Sequence, residues 1–342
     1  MSDVVLTGFC DEVCADKNLE RQFAVATALG LEWISLRFFD LGQGVKNILA
    51  ATDADLEQIR ELLTGYGLRV SSIGSPLGKI KLRDMDDGTT NQYRPFAEYL
   101  AGEVERICEI ATALQAPLVR GFSFYHPRGT SPADYLTEAA ARLRELAGRC
   151  AQSKLVFGLE VEANLIGQTG DLVRELVVLA EAPNLVSIFD GANLSVQGLS
   201  ASDVWRQYLA MRGTLGWVHV KDYLAPQGAG TSNQGASTSG SLSQHVDEES
   251  LAAFVPAGLG DAAYRQVLPD LKRELPAIRA RLKRAGWEEP LVFLDLEPHL
   301  RKGGQFGGFS GADGFGIALR HLCRLLDKTG VSYNLRDWPL KN

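Results

Sequence analysis

Long apolar runs are missing from this 342-residue chain, and none approaches the roughly 20 residues of a membrane-spanning helix. That excludes an apolar helical span and any membrane partner it would bring. The N-terminus, MSDVVLTGFCDEV, has no basic stretch followed by an apolar run, so no secretory signal peptide is expected. Positive charge is also in short supply. Lys and Arg number 35 against 42 Asp and Glu, a formal net charge of −7, and nucleic-acid binding needs the opposite balance. Histidine is scarce: five residues are too few for a multi-zinc cluster. The five cysteines (Cys10, Cys14, Cys108, Cys150, Cys323) are odd in number and scattered. Only Cys10 and Cys14 have a metal-like spacing, and no second pair accompanies them. Free thiols and a reducing, cytoplasmic location are therefore expected. There is no early Gly-x-Gly-x-x-Gly turn of the dinucleotide-binding kind.

What is present is an alternation of short β-branched runs with longer amphipathic ones. Strands are expected at 4–9, 33–39, 69–75, 117–125, 154–163, 185–190, 215–223 and 290–297. Between them, stretches such as DADLEQIRELLTGYG and YRQVLPDLKRELPAIRARLKRAG repeat apolar residues at three and four, as amphipathic helices do. Eight strands separated by helices predict a (β/α)8 barrel, with an open doubly wound sheet as the alternative. One domain is expected over 1–342. Residues 225–250, APQGAGTSNQGASTSGSLSQHVDEES, break the rhythm. They are too poor in apolar residues to bury a core, so they read as a flexible insertion or a lid over the barrel mouth.

In barrel strands alternate residues face the interior, and chemistry sits at the C-terminal ends. On strand five this parity turns Gly158, Glu160 and Glu162 inward; on strand seven, Trp217, His219 and Lys221; on strand eight, Phe293, Asp295 and Glu297. Strand six ends at Asp190. Four consecutive strands thus aim Glu160, Asp190, His219 and Glu297 at one region. Three carboxylates in a low-dielectric cavity repel one another, and a divalent cation resolves that cost. An oxygen-rich set with one nitrogen suits Mn²⁺ first, with Mg²⁺ or Co²⁺ as alternatives, better than structural Zn²⁺. The competing reading pairs each acid with a nearby Lys or Arg.

The pieces LEVEANLIGQT, FDGAN, HVKDY and LDLEPH, in this order on strands five to eight, resemble the xylose isomerase-like TIM barrels. More narrowly they resemble the sugar phosphate isomerase/epimerase family, and WISLRFFDLGQGVKNI, IGSPLGKIKL and VRGFSFY agree with a subgroup of it. The resemblance implies a Glu–Asp–His–Glu metal set, falling here on Glu160, Asp190, His219 and Glu297. It also implies that Glu160 and Glu297 are the acid/base pair, and that barrels of this kind associate into homo-oligomeric dimers or tetramers. Asn193 departs from the epimerases, which often carry His at that place.

A site of this kind supports proton abstraction beside the carbonyl of a small carbohydrate, through a metal-stabilised enediolate. The expected activity is a metal-dependent (keto-)sugar isomerase or epimerase. The alternative is a lyase or dehydratase performing β-elimination on a keto-sugar, keto-inositol or 3-keto-glycoside, and a non-catalytic sugar-binding subunit comes third. Substrate contacts are expected from Lys221, His299, Arg37, Arg120, His126, Asn193 and Glu162. Lys221 could instead pair with Asp222 or Glu162, and Arg37 with Asp11 or Glu12. Lys79 lies in the SPLGK motif. The glycines of KGGQFGGFSG (302–311) suit either a phosphate group or a flexible loop.

Overall fold

The computed structural model describes residues 2–225, 245–247, 251–303 and 308–336. Eight strands form one parallel sheet: β1 (Val4–Gly8), β2 (Trp33–Leu36), β3 (Arg69–Gly74), β4 (Leu118–Gly121), β5 (Val156–Glu160), β6 (Leu185–Asp190), β7 (Leu215–Val220) and β8 (Phe293–Leu296). Each strand pairs with the next from β2 to β8, and β8 pairs with β1. A bridge between Phe9 and Ser35 brings β1 to β2 and closes the ring, giving the expected (β/α)8 barrel. A ninth short strand, β9 (Tyr333–Asn334), sits beside the start of β1.

The strands are continuous apolar runs because both of their faces are buried, one by the interior and one by the helices. The helices form where the periodicity placed them. Leu19–Ala28 follows β1; Asp53–Tyr66 follows β2, opened by a Thr52–Asp55 capping box and closed by left-handed Gly67. Leu136–Gln152, Gly170–Ala180, Ala201–Met211, Tyr264–Arg284 and Gly311–Thr329 follow later strands. Inside the barrel, Gly158 leaves room for the Trp217 indole, which a Cβ there would meet at 2.1 Å.

Several strands stop earlier than expected, β5 at Glu160 and β7 at Val220 among them. β2 ends at Leu36, since Arg37 turns inward to acids; Phe38–Phe39 then pairs separately with Lys46–Asn47. β4 ends at Gly121, and the chain beyond it is laced to the SPLGK loop instead. Phe122 N–H donates to the Leu77 carbonyl at 2.7 Å, and Phe124 N–H to that of Gly78 at 2.9 Å. Gly78 has φ +86°, and a Cβ there would lie 2.0 Å from the Phe122 oxygen, so only glycine allows this approach.

Most of the 225–250 segment lies outside the described residues, as do 304–307 of the glycine run. Of the former, Val246 exchanges two backbone hydrogen bonds with the Asn164 side chain, at 2.8 and 2.9 Å. No helix among the described residues is long and apolar enough to cross a membrane.

The loop after β7 is held by one side chain. Asp222 accepts from the backbone N–H groups of Tyr223, Gly258, Gly260 and Ala262 at 2.7–3.1 Å. Replacing it by Ala strands four donors, two of them fully buried bonds across the loop. Asp222→Ala is therefore expected to lower stability by about 4 kcal/mol, at roughly 1 kcal/mol per bond, in urea unfolding. An unchanged midpoint would show that water replaces those contacts at no cost.

Candidate metal and active site

Strand register puts the inward residues at one depth. His219 is the Cα partner of Asp190 on one side and of Asp295 on the other, while Glu160 pairs with Ile188. One ligand atom from each of Glu160, Asp190, His219 and Glu297 lies within 4.8 Å of the other three, and all four residues are buried. Asp190 splits its carboxylate: Oδ1 caps the Gly191–Ser195 turn through the N–H groups of Ala192 and Asn193, leaving Oδ2 aimed at the cluster. His219 Nδ1 faces Glu160 Oε1 at 3.0 Å, and Tyr264, by donating to the His219 carbonyl at 2.8 Å, fixes the end of β7. Three buried carboxylates and an imidazole converging in this way are the donor set of an oxygen-preferring divalent ion.

Cations from neighbouring strands surround the cluster. Lys221 Nζ stands 3.1 Å from Asp190 and 3.2 Å from Glu297. Arg120 holds Glu160 at 2.8 Å, and Arg37 bonds Glu297 while reaching Asp11 at 3.1 Å. Burial alone would raise both glutamates, but His219 and Arg120 hold Glu160 down at about 2, and Lys221 and Arg37 hold Glu297 well below the carboxylate range. Asp190 goes the other way. Its burial outweighs Lys221, and with Glu160 and Glu297 beside it the carboxyl is pushed up to about 7. For His219, burial is outweighed by Glu160, and the ring is raised above its ordinary value.

Residues 23–298 match the family described as xylose isomerase-like TIM barrel. The chain belongs to that family. Among curated proteins no sequence matches it. Solved structures do. The IOLI protein with a binding zinc atom is 13% identical, TM-score 0.62, covering 96% of this chain and 99% of that one. The probable 3-DHS dehydratase AsbF from Bacillus anthracis is 15% identical, TM-score 0.58, covering 94% and 99%. D-psicose 3-epimerase with D-tagatose from Clostridium cellulolyticum is 12% identical, TM-score 0.56, covering 96% and 98%. At such identities these likenesses speak for the fold.

In this xylose isomerase-like barrel Glu160 and Glu297 of the cluster line a pocket with about 650 Å³ of open space, solvent at its mouth included. Its walls include Arg37, Arg120, Glu162, Asn193, Lys221 and His299, six of the seven residues expected to touch substrate, together with Phe38, Phe122 and Phe254. Asn193 donates to Glu160 Oε1 at 3.2 Å and to the Val161 carbonyl at 3.1 Å. Glu162 pairs with Lys79 at 3.0 Å, which gives the SPLGK lysine a place on the rim.

Lys221 pairs with neither Asp222 nor Glu162; Asp222 is committed to its loop. The seventh residue, His126, does not line the pocket. Its Nδ1 lies 3.1 Å from the Pro127 carbonyl and 3.2 Å from the Thr130 hydroxyl, and its ring stacks on Tyr135, so local contacts turn it away.

Sequence reasoning gave Glu12 no site role of its own. It is fully buried after β1, meets His299 Nδ1 at 2.7 Å, and accepts from Ser310 at 2.7 Å and from the His299 N–H at 2.8 Å. His299, at φ +51°, fits because Gly308 has no Cβ; one would lie 2.0 Å from the ring. The only sequence signal was an acid pair, Asp11-Glu12, directly after a core strand.

A cation that binds through Asp190 must displace the proton this carboxyl retains below about 7. Affinity for a divalent ion is therefore expected to rise with pH through that value, with proton release measurable by calorimetry in buffers of different ionisation enthalpy. A pH-independent affinity across this range would contradict that assignment.

Proposed function

We propose that this protein is a divalent-metal-dependent isomerase or epimerase of a small carbohydrate. The observation that carries the reading is the convergence of Glu160, Asp190, His219 and Glu297, all buried, with Glu160 and Glu297 lining the pocket. Those four would hold the ion, with Mn²⁺ preferred by the donor set and Mg²⁺ or Co²⁺ acceptable. When bound, the ion supplies Lewis acidity to a carbonyl and a neighbouring hydroxyl, acidifying the C–H beside them.

The chain's own groups do the rest. Glu160 on β5 and Glu297 after β8 approach from different sides of the barrel, so one can take a proton while the other returns it. Arg37 and Arg120 hold these carboxylates in place, and Lys221 presents an ammonium to substrate oxygen. Phe38, Phe122 and Phe254 give apolar wall against the C–H faces of a sugar and help exclude water.

A second reading, β-elimination, draws on one specific contact. His299 lines the pocket, with its Nδ1 2.7 Å from the buried Glu12 carboxylate. Such a pair could protonate a leaving group, which simple epimerisation does not need. Detection of an unsaturated product would favour it over an isomer.

The test is to incubate Mn²⁺-loaded protein with a panel of keto-sugars in D₂O. Deuterium is expected at a carbon beside the carbonyl. EDTA should abolish uptake, and Glu160→Gln or Glu297→Gln should slow it by roughly 10²-fold or more. Uptake at an undiminished rate in both variants would refute the acid/base roles.

A further inference from the structure

We propose that Asp295, which is outside the ligand set, is a positioning residue: it takes the far ring N–H of His219, so that Nδ1 faces the cation with its lone pair free. This rests on the metal reading above. On β8, Asp295 lies one inward step below Glu297, and it is the direct cross-strand partner of His219. It is 1% exposed, in a layer where an apolar side chain would be expected. Its Oδ2 is anchored across the barrel by the Ser35 hydroxyl, with Ser72 at 3.5 Å. Ser35 is tied in turn to Ser71 at 3.0 Å, and Ser71 to Thr7 at 2.6 Å. The carboxylate therefore stands on a fixed base contributed by three other strands.

Two buried polar atoms are left over at this spot. His219 Nε2 has no hydrogen-bond partner, and neither has Asp295 Oδ1; Nε2 stands 4.0 Å from Oδ2. Leaving both unmet is costly, and a small ring shift or one bridging water joins them. The edge of Phe9 against the imidazole, with centroids 5.3 Å apart, blocks other orientations. With Nε2–H committed to Asp295, the Nδ1 tautomer that would carry its proton toward the ion is disfavoured.

The experiment compares Mn²⁺ affinity, by calorimetry, in wild type, Asp295→Leu and Asp295→Asn. It also follows the Nε2–H resonance of His219 in ¹⁵N-histidine-labelled, Mg²⁺-loaded protein. Expected is a loss of about 10- to 100-fold in affinity for Asp295→Leu, with folding retained, since a buried charge is exchanged for an apolar side chain of similar size. The wild-type Nε2–H should resonate downfield as a hydrogen-bonded proton and move upfield in the variant. Unchanged affinity, or a wild-type Nε2–H with no hydrogen-bonded shift, overturns the proposal; the second measurement decides even if the variants fail to fold. Absence of Mn²⁺ binding by wild type overturns the metal reading itself and this one with it.

Discussion

The structure turns on balancing charge that has been taken out of water. Asp11, Glu12, Glu160, Glu162, Asp190, Asp295 and Glu297 are all buried at one end of the barrel, against Lys17, Arg37, Lys79, Arg120 and Lys221. Carboxylates outnumber the fixed cations, so each must be shared, hydrogen-bonded or left protonated. Breaking one such pair leaves an uncompensated buried charge worth about 3–5 kcal/mol. The pairs also run between strands at their C-terminal ends. Arg37 after β2 reaches acids beyond β1 and β8; Arg120 on β4 reaches Glu160 on β5; Lys221 after β7 reaches Asp190 on β6 and Glu297 beyond β8. Ion pairs therefore join the strands at the mouth in addition to the backbone ladder.

The same balance constrains the chemistry. A carboxylate held as low as Glu160 or Glu297 is a weak base, since proton transfer improves as base strength approaches that of the group it deprotonates. Such a base removes a proton from carbon only if the carbon acid has been strengthened. In the proposed reaction, base and Lewis acid would form one device: the surroundings that keep the glutamates ionised would also make proton abstraction depend on a bound ion. Asp190, pushed up by the same surroundings, shows the deficit of positive charge that a dication would fill.

Much of this was legible in the sequence because barrel strands obey a strict period of two. The parity that turned Glu160, His219 and Glu297 inward needed only the apolar partners Leu159, Val218 and Leu296 facing the helices. Contacts set by cross-barrel distances were not legible. Nothing in CDEV says that Glu12 meets His299 across 287 residues of chain, nor that Asp295 rests on Ser35. Nor was the place of His126 legible: strand β4 ends at Gly121, Phe124 is left-handed at φ +70°, and the imidazole is not among the residues that line the pocket. Local backbone turns of that kind leave no periodic trace.

Identity of 12–15% with neighbours that match nearly end to end shows how little particular sequence the fold itself requires. A parallel barrel asks its interior only for apolar bulk of the right volume, which many sequences supply. Its mouth is different, because a polar group there must find a partner among seven other strands. Asn193 illustrates this. Its amide nitrogen donates both to Glu160 and to the backbone that follows β5, so its identity is fixed by geometry rather than by volume. An amide cannot relay a proton as an imidazole can, so on the β6 side of the pocket this chain keeps a hydrogen-bond donor and gives up an acid. The one imidazole bordering the open pocket, among the described residues, is His299 beyond β8. In the proposed reaction, proton exchange with solvent through an imidazole would therefore run on that side of the barrel.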